Sequence, residues 1–105
     1  LAEDEKGVLW IATDGGLFRF DGTNFQKFGK ENGLPSLQVS TVVAGKSGTI
    51  WCGTFGGGLC RLEGDRFVVF NRKNGLPDEY VTALVEDYEG NIWVGSIWGG
   101  AARFG

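Results

Sequence analysis

The chain has 105 residues, a length that suits one small domain. Its 10 basic and 13 acidic side chains leave a net charge of −3, unlike a nucleic-acid binder that shows phosphate a basic surface. Nineteen glycines exclude a helical bundle, because each interior glycine costs a helix about 1 kcal/mol, and no apolar run approaches the ~20 residues of a membrane helix.

The chain enters partway along a strand, since Leu1-Ala2-Glu3-Asp4 aligns with the later Leu84-Val85-Glu86-Asp87. Leu9-Trp10-Ile11 then opens a motif that returns as Ile50-Trp51-Cys52 and Ile92-Trp93-Val94, with tryptophans 41 and 42 residues apart. One missing residue explains the shorter step: Thr13-Asp14-Gly15-Gly16-Leu17 stands against Thr54-Phe55-Gly56-Gly57-Gly58-Leu59. Arg19 returns as Arg61 and Arg103, and Phe25 and Phe28 return as Phe67 and Phe70. Asn32-Gly33-Leu34-Pro35 returns as Asn74-Gly75-Leu76-Pro77. So many positions in one register make a 42-residue repeat.

The second unit predicts four strands over residues 39–44, 49–54, 59–62 and 66–71, rich in β-branched and aromatic side chains. Lys46-Ser47-Gly48, the glycine run and Glu63-Gly64-Asp65 turn them into antiparallel hairpins. The Asn-Gly-Leu-Pro segment carries the fourth strand to the next unit. Ile50-Trp51-Cys52 lacks polar–apolar alternation, so both faces of that strand should be buried. Four-stranded sheets apolar on both faces stack radially. The expected fold class is therefore all-β, a β-propeller of four-stranded antiparallel blades. About 2.5 blades are present, over residues 1–38, 39–80 and an incomplete 81–105.

Asp87 to Ser96 reads Asp-x-x-Gly-x-Ile-Trp-x-Gly-Ser, and Asp4 to Thr13 has the same form; Gly45 to Thr54 keeps it without the aspartate. Together with Gly-Gly-Leu-x-Arg, Phe-x-x-Phe and Gly-Leu-Pro, this resembles the two-component-regulator propeller repeat. The resemblance covers essentially the whole chain. It implies a periplasmic or extracellular sensor portion of a membrane-bound hybrid histidine kinase, often one that senses polysaccharide breakdown products. Ala101-Ala102 depart from the pattern, which implies weaker packing in the third unit.

No catalytic residue, metal ligand or cofactor is expected: histidine is absent, and no serine or cysteine stands beside a plausible base. The acidic pairs at Glu3-Asp4 and Glu86-Asp87 suit turns in which a carboxylate accepts backbone N–H bonds. The glycine runs lead into strands rather than a helix N-terminus, so they make hairpins and not phosphate cradles. Cys52 and Cys60 should face each other across two antiparallel strands, either as two buried thiols or as a cross-strand disulfide in an oxidising compartment. Trp10, Trp51 and Trp93 are structural, and Arg19, Arg61 and Arg103 are expected in inter-strand ion pairs.

Up-and-down topology places the glycine-rich turns and the Gly-Leu-Pro connections on one rim. Positions there that differ between units are ligand-contact candidates: Asp14, Phe55 and Ile97 in one column, and Trp98 where the second unit has Gly56. Lys30, Arg72, Lys73, Asp78, Glu79 and Tyr80 lie on the long connections. Aromatic and charged side chains together suit an oligosaccharide or another small polar ligand. The alternative is a protein-interaction or self-assembling module without a small ligand. Propellers close with about 4–8 blades, so the remaining blades of a parent chain, or further copies of this one, are the expected partners.

Overall fold

The computed structural model describes residues 1–45, 48–71, 73, 75, 76 and 78–104, with Phe104 as backbone alone. Lys46 and Ser47 of one expected turn, and Arg72, Asn74 and Pro77 of one expected connection, lie outside the described residues. The described residues hold eleven strands in three antiparallel sheets and no α-helix. The first sheet is β1 (Ala2–Glu3), β2 (Leu9–Thr13), β3 (Gly16–Phe20) and β4 (Phe25–Phe28). In the second are β5 (Val39–Ala44), β6 (Ile50–Thr54), β7 (Gly58–Glu63) and β8 (Arg66–Phe70). The third runs β9 (Val81–Glu86), β10 (Ile92–Ser96) and β11 (Gly100–Phe104), paired in the order β11-β10-β9.

Each sheet follows chain order, as successive hairpins require. The registers match the repeat: Cys52 pairs with Cys60, Ile11 with Phe18, and Val94 with Ala102. Glycine starts the third strand of each sheet for a steric reason. Gly58 has φ 86°, and a Cβ there would strike the carbonyl oxygen of Phe70. Gly16, at φ 119°, stands 2.6 Å (ideal Cβ) from the Phe28 oxygen in the same relation. One element is absent from the sequence reading, a 3-10 helix over Lys30–Asn32 that Gly33 ends at φ 89°. It is too short to show periodicity.

The sheets stack face on face. Trp10, Leu17 and Phe28 of the first sheet pack on Val42, Ile50, Cys52, Cys60 and Phe67 of the second. Phe28 joins the two layers, with ring centroids 5.8 Å from Trp10 and 6.1 Å from Phe67. On its other side the second sheet offers Leu59, Val43, Trp51 and Phe70 to Leu84, Ile92 and Val94 of the third. Leu17 and Leu59 are fully buried, worth about 1.5–3 kcal/mol each in apolar area removed from water. Gly53 lets the sheets approach, because a Cβ there would run into Val81. Cys52 and Cys60 are free thiols, both fully buried in this core. The Cys60 sulfur beside it and burial push the Cys52 thiol well above the ordinary range.

The arginines correct an expectation. Arg61 pairs with Glu63 two residues along its own strand, with Nε 3.1 Å from the carboxylate, and Arg19 with Asp21 at 3.9 Å. Their inter-strand contacts are instead stacking ones: Arg19 lies 5.8 Å from the Trp10 ring, and Arg61 5.6 Å from Trp51 and 5.4 Å from Phe70. The register places each guanidinium opposite its tryptophan, so the indole is the group it meets across the strand pair.

Candidate functional site

The rim is built where the turn after the second strand of a sheet meets the connection arriving from the sheet before. The first such turn has two residues, Asp14-Gly15, between paired Thr13 and Gly16. The other two have three: Phe55-Gly56-Gly57 between Thr54 and Gly58, and Ile97-Trp98-Gly99 between Ser96 and Gly100. The extra residue lets these turns reach the incoming connection. Phe55 N donates to Gln38 O at 2.9 Å, and one repeat later Ile97 N donates to Tyr80 O at 3.1 Å.

A side chain locks each joint, with opposite polarity. Ser36 Oγ donates to Phe55 O at 2.9 Å. Its repeat counterpart Asp78 accepts instead, from Trp98 N at 2.7 Å and Tyr80 N at 3.0 Å. The Trp98 N–H is the main reason the Asp78 carboxyl stays below the usual carboxylate range; burial opposes it and the Tyr80 N–H adds to it. The Glu79 carbonyl meanwhile accepts from Gly56 N at 2.9 Å and Gly58 N at 3.0 Å. Residues 78–80 therefore grip turns of both the second and the third sheet.

Around this grip the side chains form an aromatic row. Tyr80 stands edge-on to Phe55 and to Trp98, at centroid distances of 5.9 and 5.3 Å. Trp98 is 75% exposed and Tyr80 40%, while the Asp78 that fixes them is 8% exposed. Next to the row, a cleft of about 260 Å³ is lined by Asp14, Gln38, Val39, Ser40 and Phe55. Ser40 is the extra residue of a β-bulge in β5, and its hydroxyl donates to Gly53 O and Val81 O. Thr82 holds the equivalent place in β9 and donates to Gly95 O.

Of the candidates read from sequence, Phe55, Asp78, Glu79, Tyr80, Ile97 and Trp98 come together at one seam, and Asp14 meets Phe55 across the cleft. Lys30 lies elsewhere: its short helix is tied to the second sheet's outer corner through Asn32 to Asp65 O and Arg66 to Glu31 O. Lys73 follows the outermost strand, its N–H held by Asn71 Oδ1. Arg72 is outside the described residues, and Cys52 and Cys60 sit in the core. Sequence reasoning missed Ser36, Gln38 and Ser40. Their signal was present, since Ser36 and Gln38 stand one repeat before Asp78 and Tyr80.

At the opposite end the aspartates hold turns as expected, and they also hold tryptophan. Asp4 accepts from Lys6 N, Val8 N and, at 3.2 Å, Trp10 Nε1. Asp87 accepts from Glu89 N, Asn91 N and, at 2.9 Å, Trp93 Nε1. The Trp93 indole is the chief cause of the lowered Asp87 pKa. At Asp4 burial acts upward, and the Trp10 indole with the Val8 and Lys6 N–H groups outweighs it. Among the described residues no three His, Cys, Asp or Glu side chains are grouped to hold a metal ion.

Residues 75–98 match the model of the two component regulator propeller, the repeat the sequence resembled. The fold is shared with the extracellular domain of BT4673 from B. thetaiotaomicron, described as a hybrid two component system in one structure and a one component system in another. The former superposes with TM-score 0.80 at 22% identity over 98% of this chain, the latter with 0.77 at 19% over 96%. The extracellular domain of BT3049 from the same organism, also described as a hybrid two component system, gives 0.50 at 20% over 97%. This chain spans 16%, 15% and 20% of those three chains in turn, so it corresponds to part of a propeller. No curated protein sequence matches it significantly. No helix among the described residues is long and apolar enough to cross a membrane.

Proposed function

We propose that the chain is a non-catalytic, ligand-sensing part of a periplasmic or extracellular propeller in a two-component receptor, and that its rim binds a carbohydrate-like ligand. The observation that carries this reading is the row of half-buried Phe55 with exposed Tyr80 and Trp98, beside a cleft edged by Asp14, Gln38 and Ser40. Aromatic faces take the C–H faces of a sugar ring, and neighbouring amide, hydroxyl and carboxylate groups take its hydroxyls. Because residues 78–80 grip the turns of two sheets, a ligand seated on Tyr80 and Trp98 contacts both sides of a seam. A change in the angle between sheets is then the signal available to a histidine kinase output in the parent receptor.

The test is titration of the chain with a panel of neutral and uronic-acid oligosaccharides, read by tryptophan fluorescence and calorimetry. At least one should bind saturably, and Trp98→Ala combined with Phe55→Ala should weaken it about tenfold or more. Absence of binding across the panel, or unchanged binding by the double variant, overturns the assignment.

A further inference from the structure

Cys52 and Cys60 take no part in the rim. They are the only two cysteines of the chain, and they stand directly opposite each other among the five residue pairs that join β6 to β7. The same register sets Ile11 against Phe18 in the first sheet and Val94 against Ala102 in the third, so the repeat itself asks only for apolar side chains there. Both thiols are fully buried, in the layer between the first and second sheets with Trp10, Phe28 and Val42. The Cys60 sulfur lies beside that of Cys52. Residues directly opposite in an antiparallel pair have Cα atoms about 4.5 or 5.5 Å apart, depending on their place in the ladder. Both values fall within the span of about 4.4–6.8 Å that a disulfide bridges.

We propose that Cys52 and Cys60 are the site of a cross-strand disulfide, closed by a disulfide-bearing oxidant while the chain folds. One sulfur, as thiolate, attacks the oxidant's disulfide and displaces one of its thiols; the second then attacks the mixed disulfide and displaces the other. The two thiol hydrogens pass to the oxidant, which leaves as two thiols, and one S–S bond joins β6 to β7. Bonding draws the sulfurs closer than two unbonded thiols can stand, so the packed layer need not open to hold the link. Full burial sets the time of the step: an oxidant reaches the sulfurs before the first sheet closes over them, and the closed layer then shields the bond from reductants. The link lies two residue pairs below the turn Phe55-Gly56-Gly57, so it ties together the hairpin that carries Phe55 to the rim. The oxidant in the cell rests on the periplasmic or extracellular placement proposed above; the sulfur geometry does not.

The experiment equilibrates the 105-residue chain in glutathione buffers of graded poise, starting from the reduced and from the oxidised chain, and counts free thiols by alkylation and intact mass. A parallel series in guanidinium chloride leaves the two sulfurs to meet by chance. Without denaturant the chain should lose two hydrogens, and its oxidation constant should exceed that of the denatured chain at least about tenfold. Non-reducing peptide mapping should place the bond between Cys52 and Cys60. An equal or smaller constant without denaturant overturns the proposal, because the fold would then do nothing to align the sulfurs. So does glutathione held on a cysteine, or a disulfide between chains, as the main oxidised product. None of these readouts involves a sugar, so failure here leaves the rim reading standing, and failure of sugar binding leaves the disulfide standing.

Discussion

The second and third sheets share one repeat pattern and live in different surroundings. Trp51 and Trp93 occupy one repeat position, as do Leu59 and Ala101, or Gly58 and Gly100. The second sheet is covered on both faces and has its fourth strand; the third is covered on one face and presents three strands. What differs is the company each residue keeps, so equal substitutions in the two sheets should have unequal costs.

The widest gap is expected in the core. Leu59→Ala removes a fully buried side chain between two sheets and should cost about 2–5 kcal/mol, whereas Val85→Ala on the open face should stay within about 0.5 kcal/mol. Denaturant melts of the two variants compare them directly, and equal losses would break the contrast. A narrower gap separates two glycines of like backbone. Gly58→Ala meets positive φ and the Phe70 oxygen together, for about 3 kcal/mol or more; Gly100→Ala meets positive φ alone, with nothing within 4 Å, for about 1 kcal/mol. The smallest effect is in the acid limb. Asp87 has its pKa lowered in the folded state, so an unfolded chain binds its proton more readily. Its contribution is complete above the ordinary carboxylate pKa of about 3.9 and fades as pH falls through the lower folded value. Asp87→Asn should therefore flatten the loss of stability below about pH 4, while the second sheet, with Gly45 at that place, contributes no such slope.

Much of this was legible beforehand. A turn flanked by Thr54 and Gly58 places Cys52 opposite Cys60, and the one-residue gap at Asp14-Gly15 marks the shorter turn. Both follow because hairpin register depends on local turn length. Features that depend on a neighbouring sheet were harder to read. Nothing in the local sequence says that Arg61 pairs with Glu63 of its own strand and meets the Trp51 indole across it, or that Asp87 reaches six residues on to Trp93 Nε1. Lys30 looked like a rim residue because a long connection is ambiguous about direction, and its helix turned it to the outer corner. The aromatic row was half visible: Phe55 and Trp98 break the repeat and so announce themselves, but the Tyr80 ring between them and the Asp78 bond that holds Trp98 show only in three dimensions.

The hydrogen bonds of the joint made by residues 78–80 run chiefly to main-chain carbonyls, those of Glu79 and Tyr80, joined by the Asp78 carboxylate. Substituents at 79, 80, 97 and 98 are thereby released from holding the architecture together. A side chain at those four places can be exchanged without removing the main-chain bonds beneath it, whereas loss of the Asp78 carboxylate takes away the acceptor of the Trp98 and Tyr80 N–H groups.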